Sequence, residues 1–116
     1  MSWEIIRFDA SPWTPGAHPL ERKKTAALGA ATLLEFGAGF RDPQWCANGH
    51  AGLVLEGRLG LEFTDGSAEI GPGEGFVVEP GTRHRAFTAG PHAVRSRSRA
   101  ASCAPAPGAP AGRRKR

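Results

Sequence analysis

Alternating apolar and polar residues in the middle of the chain predict a β-hairpin. Leucine or phenylalanine occupies every second position of residues 59–63, and a shorter alternation follows over residues 67–70. Between the two runs lies Asp65-Gly66, a pair typical of tight hairpin turns because glycine adopts positive φ without steric cost. The pattern predicts two antiparallel strands with one apolar face and one polar face.

Other short apolar runs, separated by glycine and proline, predict further strands. These runs are Trp3 to Phe8, 31–36, 76–78 and 84–87. The proline-rich stretch from Ser11 to Lys24 instead favours an irregular connection over the surface. Many short strands without a convincing helix are typical of a sandwich or barrel. The sequence therefore predicts one small all-β domain.

The composition changes after Val94. All residues of 95–116 are Arg, Ser, Ala, Cys, Pro, Gly or Lys, and such a segment buries too little apolar surface to offset the entropy of ordering it. We therefore expect a folded domain over 1–94 and a disordered, low-complexity basic tail over 95–116. An out-of-frame reading of a GC-rich gene would yield the same composition, and the domain would then lack the strand that Pro91 to Val94 begins.

The charge of the chain is concentrated in this tail. Residues 95–116 hold seven basic residues and no acidic one, which leaves eight basic against 11 acidic residues in 1–94. The high sequence pI of about 9.8 therefore results from the basic residues of the tail. A basic tail binds phosphates without sequence preference, so an interaction protein that uses its tail is one alternative. The domain itself offers no basic patch, which argues against nucleic acid as its ligand.

Cysteine usage and the N-terminus indicate the compartment. Cys46 lies in the domain and Cys103 in the tail, which argues against a structural disulfide and for a reducing environment. The N-terminal residues lack the basic start and apolar stretch of a signal peptide, and no apolar run has the length that crosses a bilayer. These features predict a cytoplasmic protein with no membrane partner.

Two glycine-anchored stretches resemble the paired motifs of the cupin superfamily. The second family motif is usually written G-x5-P-x-G-x2-H-x3-N. Counting from Gly73, this chain has Glu79 in place of the proline, then Gly81 and His84 at the family positions. The resemblance covers about residues 33–87 and implies a small antiparallel β-barrel of the cupin jelly-roll type.

The first motif, G-x5-H-x-H-x(3,4)-E-x6-G, is matched less fully. Counting back from Gly57 puts His50 at the position of the glutamate, and Gln44 and Cys46 at those of the two histidines. The resemblance implies that these three residues and His84 meet inside the barrel, where two imidazoles and a thiolate would suit a divalent metal such as zinc or iron. The alternative is a polar pocket without metal, with a hydrogen-bonded His50 and a Cys46 that packs as a small hydrophobe.

Three further residues are candidates for the pocket. Phe40 and Trp45 could stack on a ligand at the entrance, although core packing explains them equally well. Strand alternation places Glu56 on the face of His50 and Val54 unless a bulge intervenes, so its carboxyl would lie at the barrel mouth. A solvated glutamate at a strand end is the alternative.

These observations predict a cupin-domain protein that binds a small molecule in the barrel interior, with or without a divalent metal. One alternative is a metal-dependent cupin enzyme of the isomerase or dioxygenase type, and the other is an interaction protein that uses its basic tail. A missing last strand would leave a sheet edge exposed, through which a homodimer could form.

Overall fold

The computed structural model describes Trp3, residues 5–25 and residues 32–98. Within these ranges the chain forms one short 3-10 turn, Phe8–Ala10, and nine strands. The strands are β1 Thr14–Pro15, β2 Glu21–Thr25, β3 Thr32–Phe36, β4 His50–Glu56, β5 Leu59–Phe63, β6 Gly66–Ile70, β7 Gly75–Val78, β8 His84–Thr88 and β9 Val94–Ser98. No helix in the described part of the chain is long and apolar enough to span a bilayer.

The strands form two antiparallel sheets. Six strands pair in the order β1-β2-β3-β9-β4-β7, and three pair in the order β6-β5-β8. This confirms the prediction of an all-β, antiparallel domain. The two sheets are not joined into one closed barrel, so the architecture is a barrel-like sandwich.

The core lies between the sheets and takes apolar side chains from both. Each fully buried side chain of this size contributes about 1.5–3 kcal/mol relative to its exposed state. The contributing residues are Phe36, Val54, Val78 and Val94 from the large sheet, Leu59, Leu61 and Ile70 from the small sheet, and Phe40 from the connection after β3.

The predicted hairpin is β5 and β6. Its register pairs Leu59 with Ile70 and Phe63 with Gly66, so the two turn residues are Thr64 and Asp65. The prediction that Asp65-Gly66 forms the turn is therefore wrong by one position. Gly66 is instead the first residue of β6, and its φ is not positive.

The N-terminal predictions are wrong. The stretch from Trp3 to Phe8 forms no strand in its described residues, and Ile5 is largely exposed. Strand preference depends on packing against a neighbouring strand, and no sheet pairs with this segment. The stretch from Ser11 to Lys24, predicted to be irregular, instead contains β1 and most of β2. Its charged residues suit strands at the sheet margin, where Lys24 donates a hydrogen bond to the carbonyl of Phe8.

The folded part of the chain extends past the predicted boundary at residue 94. Strand β9 pairs with β3 on one side and with β4 on the other, so the prediction of disorder is wrong for 95–98. Ser96 and Ser98 are buried, and alternation turns Arg95 and Arg97 outward. A central strand of this kind is stabilised by its hydrogen-bond ladders and needs no large apolar side chain.

Because β9 has a neighbour on each side, the last strand is present and leaves no exposed edge of its own. The argument for a homodimer through that edge therefore loses its basis. Residues 99–116 lie outside the described residues, so the disordered tail over that range and its out-of-frame origin stay predictions.

Candidate ligand-binding cavity

A cavity of about 310 Å³ lies between the two sheets. Its volume falls at the lower end of the range of small-molecule sites, about 300–1,000 Å³. At about 30 Å³ for each liquid water, it has room for a compact molecule. Much of its wall is apolar and includes Phe36, Phe40, Leu59 and Leu61. The polar part of the wall includes Gln44, His50 and His84.

His84 is the most deeply buried polar residue of this wall. It begins β8, is 1% exposed, and its main chain exchanges two hydrogen bonds with Cys46, with N···O distances of 2.8 and 2.9 Å. The ring Nδ1 lies 2.8 Å from the carbonyl oxygen of Thr82. A carbonyl oxygen only accepts, so Nδ1 donates the hydrogen. In the neutral ring that carries this hydrogen, Nε2 is the acceptor nitrogen.

His50 lies beside His84. It is the first residue of β4, and the centroids of the two imidazole rings are 5.4 Å apart. Its Nδ1 is buried with no hydrogen-bond partner among the described residues, so the alternative of a fully hydrogen-bonded core histidine does not describe it. Burial lowers the pKa of His50, and the nearby His84 lowers it further. The ring is therefore neutral at physiological pH.

Gln44 lines the same cavity as the two histidines. Cys46 is buried next to His84, and its sulfur is not a free thiol: the structure gives it a disulfide, contrary to the expectation from the sequence. A sulfur in a disulfide is not a thiolate ligand.

The fit of these residues to a metal ion follows from the donors present. A catalytic zinc site takes three protein ligands, and in the described ranges no three His, Cys, Asp or Glu side chains lie close enough to hold one ion. His50, His84 and a carboxamide do not make such a set. The residues therefore do not fit a resident metal bound entirely by protein ligands.

The three predicted pocket residues lie in different environments. Phe40 lines the cavity and stacks on Phe36 with the ring centroids 4.2 Å apart. Trp45 is outside the cavity lining, and the guanidinium of Arg85 lies 4.5 Å from its ring centroid. Glu56 is also outside, because a register shift between Val54 and Glu56 interrupts the alternation. Its side chain is 65% exposed.

Sequence reasoning missed two carboxyl groups in the wall, those of Glu21 and Asp42. Burial raises the pKa of Glu21, and the charge of Asp42 raises it further. Burial likewise raises the pKa of Asp42. The hydrogen bond from the backbone N–H of Gln44 lowers this pKa, but by less. Neither residue is part of a motif. The one available signal was the spacing of Phe40 and Asp42, which puts a carboxyl on the inward side of a short extended segment.

A sandwich of two antiparallel sheets with an interior cavity is typical of jelly-roll proteins. Solved structures with a similar fold show which kind of jelly roll this is. KdgF from Halomonas sp. superposes with a TM-score of 0.69 at 20% identity, covering 82% of this chain and 92% of that one. The polyketide cyclase RemF from Streptomyces resistomycificus gives a TM-score of 0.69 at 21% identity, covering 84% and 78%. A sugar phosphate isomerase of the cupin superfamily from Silicibacter pomeroyi gives 0.67 at 13% identity, covering 82% and 73%.

This chain therefore has the cupin fold, as the motif resemblance implied. At these identities the likeness concerns the fold alone. No protein-family model matches the sequence. No curated protein matches it either.

Proposed function

We propose that this chain is a cupin-domain protein that binds a small molecule directly in the cavity between its sheets. The observation that carries the proposal is the placement of His84. Its buried ring lines a ligand-sized cavity, and the hydrogen bond of Nδ1 to Thr82 fixes the orientation of that ring in the wall. Gln44 adds a donor and an acceptor, and the apolar wall would cover the rest of a compact ligand.

A cavity-filling variant tests the location of binding. Ala86→Phe would place a ring in the cavity, because Ala86 lines it. Ala68→Phe is the matched control, since Ala68 lies in the same small sheet but is exposed. Thermal unfolding should show that both variants fold before binding is compared.

The readout is the imidazole NMR signals during titration with compact probes. The chain has four histidines, so the signals of His50 and His84 can be assigned by substitution. Hexose phosphates and phenols belong in the panel because two similar structures carry the names of a sugar phosphate isomerase and a polyketide cyclase, and one-ring amines and acids extend it. We expect at least one probe to shift both signals in the wild type and in Ala68→Phe, but not in Ala86→Phe. Equal shifts in Ala86→Phe would place binding outside the cavity.

A second candidate is a metal-dependent enzyme of the isomerase or dioxygenase type. The unpartnered Nδ1 of His50 beside His84 favours it, because two imidazoles suit zinc or iron. Since the protein donors are incomplete, the bound molecule would have to supply further ligands, with Gln44 as a weak one. Elemental analysis of protein purified without a metal-affinity tag separates the two candidates. One equivalent of metal, lost in His84→Ala, would favour the enzyme, and its absence would favour direct binding.

A further inference from the structure

The charged groups in the cavity wall are of one sign. Among the described residues that line it, Glu21 and Asp42 are acidic, and none is lysine or arginine. The remaining titratable groups of the wall are His18, His50 and His84. A cavity with two carboxyls and no fixed positive charge favours a ligand that brings the positive charge itself.

The position of Glu21 is defined by its backbone neighbours. It begins β2 opposite Phe36 of β3, so both side chains lie on the cavity side of the sheet. The side chain of Glu21 packs over Gly16. A Cβ added to Gly16 would lie 2.5 Å from the Cγ of Glu21 and 2.6 Å from its Cδ. Its carboxyl accepts a hydrogen bond from the backbone N–H of Ala17. Glu21 is therefore held in the wall of the cavity.

Asp42 reaches the cavity through alternation. Phe40 and Asp42 line the cavity, whereas Arg41 between them points away. The guanidinium of Arg41 lies 4.7 Å from the Phe87 ring centroid and 3.0 Å from a carboxylate oxygen of Glu62. The main chain of Asp42 donates a hydrogen bond of 2.9 Å to the carbonyl of Ala86. The connection between β3 and β4 thus places the carboxyl of Asp42 in the cavity wall and the guanidinium of Arg41 outside the cavity.

Neither carboxyl has an ion-pair partner within the described part of the chain. The ion pairs seen there engage Glu35, Glu56, Glu62 and Glu69 instead. His18, His84 and Arg85 act on Asp42 only through space. A half-buried carboxylate without a cation is costly, and the raised pKa of Glu21 is consistent with that cost.

The aromatic wall and the cavity volume restrict the kind of cation. Phe36 and Phe40 are stacked beside the carboxyls, and an ammonium group is attracted to an aromatic face. A bare ion would leave most of the 310 Å³ empty and its apolar walls uncovered. An organic body attached to the cation would fill that space.

We infer that the ligand of this cavity is a compact organic cation, whose ammonium group binds Glu21 and Asp42 and whose apolar body lies against Phe36 and Phe40. The inference rests on the proposed function, because it names the ligand class of the same cavity. Each N–H of the ammonium would make a charge-assisted hydrogen bond to a carboxylate, the stronger kind of hydrogen bond.

Three probes of one shape test the sign of the charge: benzylamine as the cation, benzyl alcohol as the neutral isostere, and benzoate as the anion. Dissociation constants are measured by NMR titration on the full chain at pH 7 and low salt. We expect benzylamine to bind at least tenfold more tightly than the alcohol, and benzoate to bind most weakly. Glu21→Gln should reduce benzylamine binding about tenfold and leave benzyl alcohol binding unchanged.

The control is Glu79→Gln, which removes one exposed carboxyl outside the cavity and should change nothing. If Glu21→Gln fails to fold, Asp42→Asn and Glu21→Asp serve in its place, with loss expected in the first and partial retention in the second. Binding of the alcohol or benzoate as tightly as the amine, with cavity signals shifted, would overturn the inference and keep the proposed function. If no probe of this set or of the wider panel shifts the cavity signals, both fail.

Discussion

At the scale of the residue, Gly57 shows how a motif position becomes a structural requirement. It closes the first cupin-like motif and has a φ of +80°. A Cβ at this position would lie 2.3 Å from the carbonyl oxygen of Ala93, the residue before β9. Two penalties therefore act together, the left-handed backbone and the contact with a neighbouring main chain.

Three glycine-to-alanine variants separate these penalties. Gly39→Ala has only the backbone penalty, because its φ is +83° and no atom lies within 4 Å of the added Cβ. We expect it to lose about 1–2 kcal/mol of unfolding free energy, and Gly57→Ala to lose clearly more. Gly66→Ala, with open space and no positive φ, should change stability by less than about 1 kcal/mol. Urea denaturation measures all three, and equal losses in Gly39→Ala and Gly57→Ala would show that the Ala93 contact costs nothing.

Glu21 predicts a pH dependence of stability. Its pKa in the folded protein is raised above the ordinary 4.5, mainly by burial. Its stabilising contribution is therefore present below about pH 4.5 and lost as the pH rises through the folded pKa. Glu21→Gln removes that loss.

We thus expect the unfolding free energy of Glu21→Gln to exceed that of the wild type by more at pH 7 than at pH 4. Denaturant titrations at the two pH values measure the difference, and Glu79→Gln, exposed at the surface, is the reference variant. A gain of the same size at pH 4 would mean that the effect comes from packing and not from the charge. A binding residue that costs stability when its ligand is absent is an expected compromise.

At the scale of the element, β9 is the main departure from the sequence prediction. Its composition suggested disorder, yet it is a central strand of the large sheet. The guanidinium of Arg95 lies 2.8 Å from a carboxylate oxygen of Glu35 on β3, and Ser96 faces inward beside the cavity. Because this ion pair is partly exposed, its contribution is modest. The two hydrogen-bond ladders provide most of the attachment.

Arg97→Pro tests this role. The side chain of Arg97 is exposed, while its main chain pairs between Leu33 and Leu53. Proline removes a ladder hydrogen bond and does not fit inside a sheet, so we expect a loss on the order of 2–3 kcal/mol. Arg97→Thr keeps the N–H and should stay within about 0.5 kcal/mol of the wild type. Unchanged stability in Arg97→Pro would support the boundary of the folded domain at residue 94 that the sequence predicts.

At the scale of the whole molecule, the positive net charge of the chain comes from its C-terminal residues. Removing residues 99–116 deletes five basic residues and changes the formal net charge from +4 to −1. Several arginines of the domain are paired with carboxylates, as in the pairs of Glu62 with Arg41 and Arg85. Any polyanion binding by this protein should therefore depend on the tail.

We expect the full chain to be retained on a heparin column to higher salt than a chain that ends at Ser98. Both are compared in reducing buffer, so that Cys46 is in the same state in each. The tail-based alternative function predicts that retention falls steeply with salt. Equal retention of the two chains would place the anion-binding surface on the domain and contradict that alternative.

The motif spacing anticipated part of the cavity and missed the rest. The motif positions Gln44, His50 and His84 line one cavity, because glycine-anchored turns set the distance along the chain between strands that face each other. Phe40, proposed as an aromatic pocket residue, lines it as well. Trp45 and Glu56 lie elsewhere. A single register shift in β4 turned Glu56 outward, and a local pattern does not reveal such a shift.

The all-β class, the β5–β6 hairpin and the motif glycines could be predicted from the chain alone, since each depends on residues close together along it. The placement of His50 beside His84 was implied only by the motif resemblance. Two relations could not be predicted and became visible only in the folded chain: β9 lies between β3 and β4, and Glu21 shares a cavity with Asp42. The physical reason is that these relations join segments far apart in the chain through backbone hydrogen bonds. Such bonds are available to every residue other than proline, so side-chain patterns record little of them.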